Sequence, residues 1–102
     1  MEEEEKKEIL KLYSGGGYAE VLMEQIGRIL PAPRIIKVPG APDGIAGMVY
    51  FHNRLIAVKY LDGAQHKDDF GCAVLVVGED GSLCGLLADD LSGGEPHDTV
   101  YG

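Results

Sequence analysis

The chain is poor in positive charge. Nine Lys and Arg face 17 Asp and Glu in 102 residues, for a formal net charge of -8, and Glu2, Glu3, Glu4 and Glu5 supply half of it. No basic surplus is left to neutralise phosphates, which excludes long-range attraction to nucleic acid or to anionic lipid. Long apolar runs are also missing: the longest, such as Leu83 to Ala88, fall far short of the ~20 residues that cross a bilayer, so no membrane insertion is expected. The N-terminus is acidic where a secretory signal is basic and then apolar, which predicts a cytoplasmic protein. In that compartment the two cysteines are expected to be reduced.

Catalytic motifs are lacking as well. His66-Lys67-Asp68-Asp69 has neither the i, i+4 histidine pair of a zinc protease nor the alternating oxygen ligands around a glycine of a calcium loop, and reads as a solvated loop. His97-Asp98 lies in a polar tail where nothing would hold a ligand geometry. Gly15-Gly16-Gly17 is followed by no Lys-Ser/Thr and reads as turn glycines. Ser14, Ser82 and Ser92 have no nucleophile-elbow context, and neither cysteine has a neighbouring cation to activate it. Asp89 and Asp90 are adjacent, so their carboxylates are expected to point apart. No catalytic constellation survives, and the alternative reading is a small metal-dependent or hydrolytic enzyme using His52, His66, Asp68 and Asp69. It requires those groups to converge in one concave site. No cofactor is expected.

What is present is the material for one all-β domain. Residues 1–7, MEEEEKK, form a charge run expected to be a disordered, solvated end. Residues 8–14 read as a strand ended by the triple glycine. Over Tyr18 to Leu30, the spacing of Val21, Leu22, Ile26, Ile29 and Leu30 predicts at most one short amphipathic helix, with strand as the alternative for its first residues. Pro31, Pro33 and Pro39 exclude helix from 31 to 43. Residues 92–102 read as a polar C-terminal tail.

Two hairpins are predicted. Met48–Phe51 and Leu55–Val58 flank His52-Asn53, and asparagine tolerates the positive φ a two-residue loop demands. Counting outward pairs Phe51 with Arg54, Tyr50 with Leu55, Val49 with Ile56 and Met48 with Ala57. Both faces are apolar, so the hairpin is expected to be covered on both sides, and both the architecture and the scaffold role are expected to rest on that cover. The second hairpin joins Cys72–Val77 to Leu83–Ala88 through Asp80-Gly81. That loop sets Val77 opposite Cys84, with Cys72 five residues away on the other face, roughly 17 Å off and beyond disulfide reach. The first hairpin also has a functional reading. Its tip carries His52, Asn53 and Arg54, and the rigid loop containing Pro39 and Pro42 leads into it, so these residues with Tyr50 are the candidate partner-binding set.

The stretch Val38-Pro39-Gly40-Ala41-Pro42-Asp43 through Gly47, with Met48-Val49-Tyr50-Phe51-His52-Asn53 and Leu55-Ile56-Ala57-Val58, resembles the central motif of CheW-like domains, scaffold modules of bacterial chemotaxis. Leu10-x-Leu-Tyr13, Tyr18-Ala19, Ile26 to Leu30, and Cys84 to Leu91 resemble flanking strands, so the likeness spans about residues 8–91. It implies a CheW-like antiparallel β-barrel architecture, no enzymatic activity, and coupling of chemoreceptors to the histidine kinase CheA. The family's Asn-Leu-Arg-Gly reads Tyr50-Phe51-His52-Asn53 here, and its later proline and aspartate are Ala57 and Tyr60. A full member of the family continues into further strands after the Asp89-Asp90-Leu91 position. Unpaired sheet edges are the expected result, and a homo-oligomer or strand exchange would cap them.

Overall fold

A computed structural model describes residues 8–93. Among them it is all-β, with eight strands, one 3-10 turn and no α-helix. The strands are β1 (Ile9–Ser14), β2 (Gly17–Leu22), β3 (Ile26–Pro31), β4 (Ile45–Phe51), β5 (Arg54–Lys59), β6 (Cys72–Val77), β7 (Leu83–Ala88) and β8 (Asp90–Gly93). They form a three-stranded sheet in the order β2-β1-β8 and a five-stranded sheet in the order β3-β6-β7-β5-β4.

The helix expected within Tyr18 to Leu30 is not formed. The only helical residues there are the 3-10 turn Met23–Gln25, and the remainder divides between β2 and β3. The five apolar side chains that mimic a helical period serve two strands instead. Val21 enters the core between the sheets, Ile26 packs against it, and Leu30 packs against the opposite core. Ser92 and Gly93, read as tail, belong to β8 and pair with Lys11 and Leu10. Residues 1–7 and 94–102, including His97-Asp98, lie outside the described residues.

The five-stranded sheet is sandwiched between two cores. Alternation along β6 and β7 sends Ala73, Leu75 and Leu87 to one side, with Val49, Ile56 and Val58, and sends Cys72, Val74 and Ala88 to the other, with Leu10, Leu12 and Val21 of the smaller sheet. The strands buried on both faces are thus β6 and β7. The sheet curls without closing into a barrel: β3 and β4 remain its two edges, although the Arg28 guanidinium of β3 reaches to 5.8 Å from the Phe51 ring of β4. The pairing is antiparallel throughout except between β5 and β7, which run parallel.

The β6–β7 register departs by one residue from expectation. Val77 pairs with Leu83 and Val76 with Cys84 because the connection spans five residues, not two. Gly78 N donates to Ser82 O at 2.8 Å, and Asp80 accepts from both the backbone N and the hydroxyl of Ser82. Cys72 and Cys84 therefore share a face, four residues apart along the ladder, and both are free thiols.

Candidate functional site

The β4–β5 hairpin follows the residue-by-residue pairing counted from its turn. His52 and Asn53 have φ of 50° and 64°, the doubly left-handed geometry of a type I′ turn, which matches the twist of the flanking strands. The imidazole of His52 stacks on Phe51 with centroids 4.0 Å apart and planes 12° from parallel, and Tyr50 Oη donates to Asn53 Oδ1 at 3.4 Å. The tip is thus defined by its own backbone turn and side chains.

The expected cover on both faces is not present. Val49, Ile56 and Val58 point into the core, whereas Tyr50 is 62% and Leu55 54% exposed. The topology supplies the reason. The outer face of the hairpin continues the sheet face that the three-stranded sheet covers, since Lys59 pairs with Leu86, which packs on the core between the sheets. Three strands reach across β6 and β7 but stop short of β5 and β4. The fold does not depend on the second cover, because β6 and β7 hold both cores.

The bare face is wider than the hairpin. Ile36 forms a two-hydrogen-bond bridge with Met48, at 2.8 and 2.9 Å, which sets its side chain beside that of Met48. Ile36 is 45% exposed, and Val38 two residues on is also exposed. Ile36, Met48, Tyr50, Leu55 and Ala57 therefore make one apolar strip. Gly47 permits it: with φ of 154°, any Cβ there would run into the Ile36 carbonyl and the Ile35 side chain.

Pro39 and Pro42 do not join the tip. They belong to two consecutive turns, Ala41 N to Val38 O at 3.2 Å and Ile45 N to Pro42 O at 3.0 Å, with Gly40 and Gly44 at positive φ. These turns feed the start of β4, six residue steps or roughly 20 Å from the His52-Asn53 end. Arg54 is exposed opposite Phe51.

Three of the four residues of the enzyme reading have separate partners, and none of the four is paired with another. His52 stacks on Phe51, His66 stacks on Tyr60 at 3.8 Å, Asp68 accepts from Lys37 Nζ at 2.8 Å, and Asp69 is exposed in the loop. Among the described residues no three His, Cys, Asp or Glu side chains are placed to hold a metal ion. No helix there is long and apolar enough to cross a membrane.

Two features escaped the sequence reading. Asp89, at the step between β7 and β8, accepts from the buried Ser14 hydroxyl at 3.0 Å, from Lys67 Nζ at 2.7 Å and from Gly71 N at 3.0 Å. The Lys67 ammonium foremost, then Gly71 and Ser14, hold its carboxyl below the usual carboxylate range against the opposing effect of burial. This node ties the 60–71 loop to both sheets. The second is charge placement. Between residues 25 and 61, Arg28, Arg34, Lys37, Arg54 and Lys59 stand against Asp43 alone, a formal +4 that leaves -12 on the remainder of the -8 chain. A segment-by-segment count would have found it; a whole-chain average hid it.

No protein-family model matches the chain, and no curated protein matches it. Among solved structures, it is similar to the scaffolding protein TtCheW from Thermoanaerobacter tengcongensis, with a TM-score of 0.72 at 19% sequence identity over 86% of this chain. The match spans 63% of the TtCheW chain. The described residues thus share the fold of a CheW scaffold protein.

Proposed function

We propose that this chain is a non-catalytic CheW-like adaptor of the cytoplasm that works by docking other proteins, and that its docking site is the bare outer face of the β4–β5 hairpin with the His52-Asn53-Arg54 tip. The observation that carries this reading is the exposed Tyr50–Leu55 pair, set on a type I′ hairpin in a sheet whose central strands β6 and β7 are buried on both faces. Two large apolar side chains held side by side in water are costly to solubility and useful to an interface. The shared fold with a CheW scaffold supports a CheA-type histidine kinase and a chemoreceptor signalling tip as the partners to test. Sheet edges at β2 and β8 offer a place for a second copy of the chain or for strand exchange.

Immobilised chain is exposed to each partner, alongside a Leu55→Asp variant. Capture of either partner by the parent chain, lost in the variant, is the expected result. Binding of neither removes the coupling role.

A further inference from the structure

We infer that the docking face selects a helical partner segment that is apolar along one side and flanked by carboxylates. The inference rests on the adaptor reading above and names the chemistry of what that face receives.

The partner's shape follows from the edge of the sheet. An extended peptide adds to a sheet through free backbone groups, but at Met48 the edge of β4 is already closed by the two hydrogen bonds to Ile36. What is open is the side-chain surface. The natural layer for the open face of a sheet is a helix, whose apolar stripe can lie along Ile36, Met48, Tyr50 and Leu55.

The partner's charge follows from the rim. The three segments that build the face, residues 32–38, β4 and β5, contain no Asp or Glu. Arg34 and Ile36 are exposed on either side of Ile35, which packs against the core with Val49 and Ile56, and alternation along β5 puts Lys59 on the same side as Leu55 and Ala57, at the end of the strip away from the turn. Arg34 and Lys59 are both exposed, whereas Arg54, paired with Phe51, lies by the same alternation on the opposite face, with Ile56. Lys37 is engaged by Asp68, whereas no ion pair within the described residues involves Arg34, Arg54 or Lys59. Two of these unpaired cations, Arg34 and Lys59, beside an apolar strip whose building segments hold no acid, in a chain that is otherwise strongly acidic, favour carboxylates flanking the partner's apolar side and repel a basic helix.

Two synthetic 18-residue amphipathic helices with the same leucine face, one flanked by glutamate and one by lysine, are titrated against the chain by fluorescence anisotropy. At low salt the glutamate peptide is expected to bind about tenfold more tightly, as a few exposed ion pairs allow. The preference should collapse near 0.5 M salt. An Arg34→Glu/Lys59→Glu variant should reverse it, and Leu55→Asp should abolish binding of both peptides. Equal affinity for the two peptides, with Leu55→Asp still abolishing both, overturns the charge selection and leaves the docking face standing. Binding of neither peptide, with kinase and receptor capture unaffected by Leu55→Asp, overturns the docking face itself.

Discussion

Leu55 and Ile56 are neighbours on one strand and face opposite ways, which makes them a sharp test of the bare face. Ile56 is 3% exposed and packs in the core with Val49 and Val58, so Ile56→Ala leaves a cavity and is expected to cost about 2–5 kcal/mol. Leu55 is 54% exposed. Full burial of a leucine contributes ~1.5–3 kcal/mol, so truncating this half-exposed one should cost about 1 kcal/mol or less. For a domain of this size each kcal/mol shifts Tm by roughly 4–8 °C, so Ile56→Ala should lower it by roughly 8–40 °C and Leu55→Ala by at most about 8 °C. Thermal and urea unfolding followed by circular dichroism reads both. If the two variants lose stability equally at low protein concentration, something covers the outer face in the free chain, and both the docking site and its inferred partner fail.

Other expectations are narrower. Gly47→Ala should cost roughly 2 kcal/mol or more, because the added methyl meets the Ile36 carbonyl and the Ile36–Met48 bridge must break; amide exchange at Ile36 and Met48 reports it. His52→Val should destabilise by about 1–2 kcal/mol at φ 50°, whereas His52→Gly should stay nearly neutral; equal losses would mean that the Phe51 stack, not the backbone, matters most. Asp89 has a folded-state carboxyl value below its unfolded one, so its contribution is present above about pH 4 and lost as pH falls through the lower folded value. Asp89→Asn should therefore lower the urea midpoint at pH 7 and flatten its decline below pH 4, and an unchanged acid slope would count against the node. Burial first, then Asp89 and Asp90, push the Cys72 thiol up, so iodoacetamide should label the half-buried Cys84 well before Cys72, as mass spectrometry would show.

How much could be read from sequence depended on whether local chemistry settled the geometry. His52-Asn53 fixed the β4–β5 register because a two-residue loop allows one pairing and asparagine admits positive φ. Asp80-Gly81 misled by one residue because Gly78 and Ser82 close a wider loop, a choice made by backbone hydrogen bonds and the Asp80 side chain. Within Tyr18 to Leu30 the choice between a short helix and a strand fell to strands around the 3-10 turn Met23–Gln25, because apolar residues serving two different cores can imitate a period of 3.6. Of the candidate site, Tyr50, His52, Asn53 and Arg54 are adjacent through the hairpin, while Pro39 and Pro42 are displaced to its far end. Ile36 joins through a single long-range bridge that no local pattern announces.

The parallel seam between β5 and β7 bears on the order of assembly. Each antiparallel ribbon, 9–22, 45–59 and 72–88, closes on a connection of its own and can form early. The seam joins only Val58 to Gly85 and Lys59 to Leu86, across a long intervening stretch, and Gly85 has no side chain because Val58 occupies that space. Its formation, like the still longer-range pairings of β3 with β6 and β1 with β8, is a non-local event that turns separate ribbons into sheets, so the meeting of residues 58 and 85 should lag behind closure of the two ribbons it joins in refolding.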